Sequence, residues 1–208
     1  FFQTEEVVSI KSKGIEPTLD LRVEDEHNFI ADGIVVHITG VQRSGLTPFY
    51  TNTTTSPVGS RSTGNIRSKK PMPEIALAHG IPYVAVASVG FIQDLQRKVK
   101  RAFTIKGPKY IQIHVPCPLG WRHQTNETLT VAKLAVQTGL YPLIEYENGA
   151  LISQRKITPK PVEEYLKIQG RFKHLLNNPE EIKKIQEIAD NNIRKYNLKV
   201  ETQQNPTA

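Results

Sequence analysis

The only cysteine in the chain, Cys117, sits in Pro116-Cys117-Pro118, directly after the apolar run Tyr110-Ile111-Gln112-Ile113-His114-Val115. The two prolines restrict the backbone on both sides, so the thiol is presented from a stiff turn. On its own, a single cysteine in that setting reads as a small buried hydrophobe. A second chemistry-bearing stretch is Thr39-Gly40-Val41-Gln42-Arg43-Ser44-Gly45. Its glycines free backbone N–H groups, and Thr39, Gln42 and Ser44 add polar side chains. Together with Gly40 these are donors of the kind that meet phosphate oxygens. Many loops of this composition bind nothing.

The elements that must position these residues alternate between strand and helix from Met72 onward. A short helix is expected over 73–79, with Pro73 tolerated in its first turn. Tyr83-Val84-Ala85-Val86-Ala87 reads as a buried strand. The spacing of Phe91, Leu95, Val99 and Ala102/Phe103 predicts an amphipathic helix over 91–104, with Arg97, Lys98, Lys100 and Arg101 on its solvated side. Residues 109–115 form the clearest strand. A helix over 128–138 is closed by Gly139, and a strand over 141–146 ends at Asn148-Gly149. This succession predicts an α/β fold with a parallel sheet and flanking helices, whose chemistry lies in the loops leaving the strands, 116–123 among them.

The flanks differ in character. Residues 1–38 are β-like, with strand candidates over 6–11 and 18–23 and a hairpin signal at Asp32-Gly33 between Asn28-Phe29-Ile30-Ala31 and Ile34-Val35-Val36-His37. Residues 39–74 are rich in Thr, Ser, Gly and Pro. They have little apolar surface to bury, which predicts a long loop that wraps a partner or lines a site. Residues 159–195 read as charged helices, with Val162, Tyr165, Leu166 and Phe172 as one packing stripe and Ile182, Ile185, Ile188 and Ile193 as another. Residues 203–208 read as a frayed tail. Three parts follow: 1–38, 39–150 and a helical extension over 151–208.

Composition narrows the function classes. Among 208 residues, one cysteine excludes an internal disulfide framework and fits a reducing compartment. No apolar run approaches membrane-spanning length, and the amino end shows neither an initiating Met nor a signal pattern. The chain is therefore expected to be cytoplasmic and a fragment or processed product. A formal charge of +7 fits either an acidic partner or a well-charged soluble surface. Nucleic-acid binding is not expected, because no basic stripe with interleaved aromatics accompanies that charge.

Leu19-Asp20-Leu21-Arg22-Val23-Glu24-Asp25-Glu26-His27-Asn28-Phe29-Ile30-Ala31-Asp32-Gly33-Ile34-Val35-Val36-His37 resembles the carboxy-terminal splicing block of an intein. The resemblance implies three splicing roles. His27, with Asp25 nearby in sequence, helps activate the carboxyl junction. His37 is the penultimate histidine that polarises the scissile carbonyl. Thr39 is the first residue after the junction, its hydroxyl the acyl acceptor once a base activates it. Position 38 departs from the pattern. Such elements end in an Asn whose side-chain amide attacks its own carbonyl, whereas Ile38 has no nucleophile. Cleavage at this junction by the normal route is therefore not expected. No amino-terminal splicing block occurs in the chain, so 1–38 is expected to be a remnant or one half of the element.

From Thr39 the chain resembles beta subunits of 2-oxoacid:ferredoxin oxidoreductases. The likeness runs through Thr39-Gly40-Val41-Gln42-Arg43-Ser44-Gly45-Leu46-Thr47-Pro48, Lys69-Lys70-Pro71-Met72-Pro73-Glu74-Ile75 and Ala78-His79-Gly80-Ile81-Pro82-Tyr83. It continues at His114-Val115-Pro116-Cys117-Pro118-Leu119-Gly120-Trp121 and Leu134-Ala135-Val136-Gln137-Thr138-Gly139-Leu140-Tyr141-Pro142-Leu143. It implies the carboxy-terminal part of a thiamine-diphosphate-binding fold. The reaction implied is oxidative decarboxylation of a 2-oxoacid, pyruvate in the first instance, with coenzyme A, electrons passing through a [4Fe–4S] cluster to ferredoxin. On this resemblance Thr39, Gly40, Gln42 and Ser44 face the cofactor diphosphate. Cys117 becomes one ligand of the cluster, reversing its plain reading as a hydrophobe. The Gly-Asp-Gly and Asn segments that hold Mg²⁺ in the family, and its other cluster cysteines, do not occur here. Thiamine diphosphate, Mg²⁺ and the cluster would all need residues outside this chain: the amino-terminal half of the subunit and partner subunits of alpha, gamma and delta type. An intein inserted before Thr39 accounts for the order of the parts. The basic residues over 97–101 would either steer acidic ferredoxin or simply form a solvated helix face.

Overall fold

A computed structural model describes residues 28–31, 34–37, 43 and 46–200. The chain forms two units, 1–38 and 39–208. In the first, β1 (Asn28–Ala31) and β2 (Ile34–His37) pair antiparallel, with Ala31 opposite Ile34 and Asn28 opposite His37. Only Asp32 and Gly33 separate the strands, the spacing of a two-residue hairpin. The strands expected over 6–11 and 18–23 lie outside the described residues, as does the tail over 203–208.

The second unit is built on β5 (Tyr83–Ser88), all six of whose residues are buried. A run of small and β-branched side chains around one tyrosine suits a strand covered on both faces. The sheet order is β6-β5-β7-β8. Strand β6 (Lys109–His114) runs parallel to β5, with Tyr83 opposite Lys109 and Ser88 opposite His114. Helix α2 (Ile92–Thr104) supplies the crossover that a parallel pair needs. The other two pairings are antiparallel: β7 (Ile144–Glu147) against β5, and β8 (Ala150–Gln154) against β7. The sheet is therefore mixed, where the sequence reading expects a parallel one. Asn148 and Gly149 both adopt positive φ, 49° and 82°. That is the geometry of a tight hairpin turn, and it forces β8 to reverse along β7.

The remaining helices are α1 (Met72–Ala78), α3 (Pro118–Trp121), α4 (Thr128–Gln137), α5 (Val162–Leu166) and α6 (Pro179–Lys195). Helix α6 starts where Asn178-Pro179-Glu180-Glu181 marks a helix start: the Asn178 side chain accepts from the Glu181 N–H, and Pro179 takes the first position. Its buried face is Ile182, Ile185 and Ala189, with Ile193 partly covered, while Ile188 faces out. One core gathers Val86, Val131, Val136, Leu143, Val162, Leu166, Phe172, Ile185 and Leu198, so α5 and α6 pack into the same interior as the sheet and α4. Among the described residues no helix is long and apolar enough to cross a membrane.

Helix α2 turns Leu95, Val99 and Ala102 inward as its apolar spacing predicts, and departs from it at Lys98 and Phe103. Its buried residues are Lys98 and Ala102, and Phe103 is 83% exposed. The Lys98 ammonium donates to the Val86 carbonyl at 2.7 Å and to Asp94 at 2.6 Å. Arg97 pairs with buried Glu145 at 2.7 Å, and Arg101 with Glu147 at 2.7 Å. Arg97, Lys100 and Arg101 are exposed, as the sequence reading expects of a solvated face, and Lys98 alone is buried. Arg97 and Arg101 pair with sheet carboxylates while staying half-exposed.

The stretch expected to be a long loop is folded from Leu46 onward. Asn65 is its staple: its side-chain N–H groups donate to the carbonyls of Thr47, Pro48 and Arg67 at 3.1, 3.0 and 3.0 Å. A small hairpin, β3 (Val58–Gly59) and β4 (Ser62–Thr63), projects from it. Polar bonding replaces the apolar burial that the composition lacks. This holds residues 46–67 against the unit and leads the chain to Lys69.

Candidate functional site

Strand β6 ends at His114, and the chain runs through Val115 and Pro116 into Cys117, which caps the one-turn helix α3. Pro118 takes the first helical position, where its missing N–H costs nothing. The Cys117 sulfur accepts from the Gly120 N–H at 3.4 Å, and the Cys117 carbonyl accepts from the Trp121 N–H at 2.9 Å. The thiol is partly exposed. Beside it Val115 and Leu119 stand out into solvent, Leu119 at 90%.

The turn is locked from below. Arg122 ends α3 in the left-handed region, and its carbonyl accepts from the Gly170 N–H at 2.9 Å. A Cβ on Gly170 would lie 2.7 Å from the Arg122 Cβ, so only glycine lets the segment 169–171 approach this closely. That contact delivers Arg171, which is 2% exposed. Its Nε donates to Gln169 Oε1 at 2.9 Å and its Nη2 to the Tyr165 hydroxyl at 3.0 Å. The guanidinium carbon lies 3.6 Å from the Trp121 ring centroid.

From Arg171 a continuous stack runs through the interior. Trp121 meets His114 at 5.4 Å between ring centroids, and His114 meets Tyr141 at 4.6 Å. The Lys69 ammonium sits 4.2 Å from the centre of the Tyr141 ring. Two cations therefore bracket three aromatic rings. Burial holds the His114 imidazole well below its ordinary value, with the charges of Lys69 and Arg171 acting the same way, so it is neutral. Lys69 keeps some surface exposure, yet its ammonium is desolvated enough to be lowered to about 8, Arg171 adding to the effect and Glu74 opposing it. Burial also pulls Arg171 down from its usual value, while Tyr165 and Cys117 draw it back up. The Nδ1 of His114 and the Nε1 of Trp121 are buried with no hydrogen-bond partner.

Among the described residues no group of three His, Cys, Asp or Glu side chains is placed to hold a metal ion. The donor set fits one thiolate ligand of a larger centre: a partly exposed sulfur in a stiff turn, receiving a backbone N–H, beside a buried cation. Of the other sequence-derived site residues, His27, Thr39, Gly40, Gln42 and Ser44 lie outside the described residues. His37 closes β2 opposite Asn28. The structure adds Lys69, His114, Trp121 and Arg171 around Cys117. Three of these fall inside motifs that carry the family resemblance, but nothing in their spacing gives them roles. Arg171 follows Gly170 in a charged, helix-forming stretch, and only that glycine hints at a close approach.

No protein-family profile matches the chain. Curated proteins do. The chain is 56% identical over 164 residues to the pyruvate synthase subunit PorB of Methanosarcina barkeri, covering 77% of this chain and 55% of that protein. It is 47% identical over 161 residues to PorB of Methanocaldococcus jannaschii, covering 77% and 53%. It is 48% identical over 147 residues to the ketoisovalerate oxidoreductase subunit VorB of Pyrococcus abyssi, covering 69% and 47%. The chain spans about half the length of the curated relatives it matches. An α/β unit with a stiff Pro-Cys-Pro turn, similar over most of its length to PorB and VorB subunits, belongs to the family of 2-oxoacid:ferredoxin oxidoreductase beta subunits.

Proposed function

We propose that this chain is the carboxy-terminal part of the beta subunit of a 2-oxoacid:ferredoxin oxidoreductase acting on pyruvate. The reaction is oxidative decarboxylation with coenzyme A, giving acyl-CoA and carbon dioxide, with electrons passed to ferredoxin. The relative at 56% identity is a PorB, which is the support for pyruvate; PorB of Methanocaldococcus jannaschii at 47% and VorB at 48% do not separate the two substrates. Thiamine diphosphate, with Mg²⁺, supplies the stabilisation of negative charge that decarboxylation requires. In this chain Thr39, Gly40, Gln42 and Ser44 would hold its diphosphate, and Cys117 would supply one thiolate to a [4Fe–4S] cluster. The remaining ligands come from the amino-terminal part of the subunit. Catalysis also needs the alpha, gamma and delta type partners, so the chain alone is inactive. The site of action is the cytoplasm.

The observation that carries this reading is the Cys117 turn, set at the carboxyl end of β6 and bonded through its sulfur to the Gly120 N–H. Its rigidity does for a cluster what a soft loop cannot: it fixes one ligand before the metal centre forms. The test is Cys117→Ser in the assembled oxidoreductase. We expect loss of one cluster's visible absorption and of its electron paramagnetic resonance signal. Unchanged iron content and an unchanged signal would remove Cys117 from the ligand set.

A second reading applies to residues 1–38, whose boundary with the rest of the chain falls between Ile38 and Thr39. That is the junction at which an intein would end. The hairpin β1–β2 leads to it, with His37 as the last strand residue. On this reading 1–38 is a splicing element silenced by Ile38.

A further inference from the structure

The fold leaves the charge of Arg171 without an account. A guanidinium cannot shed its proton at any ordinary pH, and burying it is costly unless an anion is near. Arg171 is 2% exposed, and no carboxylate among the described residues pairs with it. Its two side-chain hydrogen bonds go to neutral acceptors, Gln169 and Tyr165. The other cation of the stack, Lys69, forms no ion pair among the described residues and rests on the face of Tyr141. Aromatic contacts with Trp121 and Phe172 offset part of the cost of burying Arg171, and no anion among the described residues offsets the rest.

The geometry indicates where an anion would lie. Arg171 covers Trp121, and Trp121 closes the same one-turn helix that Cys117 opens, through the 2.9 Å bond between its N–H and the Cys117 carbonyl. The guanidinium thus rests on the ring of the residue that closes the turn presenting the sulfur. Gly170, Gln169 and Tyr165 hold it there, so the charge is fixed in position as well as in sign.

We propose that Arg171 is an electrostatic positioning residue. Its fixed charge, assisted by Lys69, raises the reduction potential of the iron–sulfur cluster that Cys117 ligates. This rests on the assignment of Cys117 made above. A cluster held there would become more negative by one charge on taking one electron from the decarboxylated substrate, with no bond made or broken. A cation in a low-dielectric surrounding favours that reduced form over the oxidised one. The electron then leaves for ferredoxin, and the stoichiometry of the reaction is untouched. The Gly120 N–H directed at the Cys117 sulfur acts in the same sense.

The experiment is a redox titration of the assembled oxidoreductase, following the paramagnetic signal that Cys117→Ser removes. Arg171→Met keeps much of the stem and deletes the charge. At a fixed ambient potential we expect about a tenfold fall in the ratio of reduced to oxidised cluster, ~59 mV for a one-electron couple. Arg171→Lys, which restores a positive charge, should recover most of that shift. A purely structural role for Arg171 would lower cluster content while leaving the midpoint of the remaining clusters where it was, and that result would overturn the proposal. If Arg171→Met does not assemble, Lys69→Met at its half-buried position serves instead. A smaller shift in the same direction supports the proposal, and an unmoved midpoint refutes it. The two assignments fail separately. If Cys117→Ser removes no signal, the ligand assignment falls and this proposal with it. If it removes one and the charge variants leave the midpoint alone, only the electrostatic role is lost.

Discussion

His114 shows how a single residue reports on the stack around it. Its ring lies between Tyr141 and Trp121, and the charges that reach it are those of Lys69 and Arg171. Burial first, and then those two cations, keep it neutral well below its ordinary value of 6.5. The unfolded chain takes up a proton there and the native chain does not. Stability is therefore unaffected by this group above that value and falls as the pH drops below it, by about 1.4 kcal/mol per pH unit for the one proton. Denaturant midpoints at pH 7, 6 and 5 should follow that slope. His114→Phe, which keeps a ring in the stack, should flatten it. Some slope will remain, because His174 is also lowered, mainly by burial.

At the scale of elements, α2 is held to the sheet by charge as well as by apolar packing, Ala102 sharing a cluster with Tyr83 and Ala85. Lys98 lies between the Val86 carbonyl of β5 and Asp94 one turn earlier. Lys98→Ala would remove the side-chain donor to the Val86 carbonyl, leave Asp94 with Arg97 alone and open a cavity, and we expect a loss of about 3 kcal/mol in unfolding free energy. Lys98→Met, which keeps the stem and so fills the space, should lose less. The same interface marks the limit of reading this fold from its sequence. The periodicity of 91–104 locates the helix, and the runs at 83–87 and 109–114 locate two strands, because hydropathy and length suffice for that. The inward side of α2 follows from the same spacing, but the burial of Lys98 and the exposure of Phe103 do not. Nor does the burial of Glu145, a partner of Arg97 far along the chain. Strand β8 lies where the sequence reading expects the helical extension to begin, although Asn148-Gly149 is the turn signal that reverses the chain into it. Cys117 could be singled out because it is unique and set between prolines. Arg171 could not, since its meaning depends on Trp121 lying beneath it.

For the whole molecule, the composite reading makes a statement about mass. Were 1–38 an active splicing element, the expressed product would lose it. Ile38 has no side chain able to attack its own carbonyl, so we expect the product to keep its full mass by intact-mass spectrometry. A product beginning at Thr39 would show that the junction breaks by another route. The core that the rest of the chain builds has a further property. Tyr50, near the start of the second unit, and Leu198, near its end, belong to one cluster, and Ile157 is bonded to the segment around Leu198 through its own N–H at 2.7 Å. Contacts so distant in sequence are slow to form. During synthesis the sheet is completed at β8, well before α6 and Leu198 leave the ribosome, and until they do the core they share with it is incomplete. This unit therefore closes only after Leu198 has emerged. In the interval it is the kind of chain that chaperones shelter.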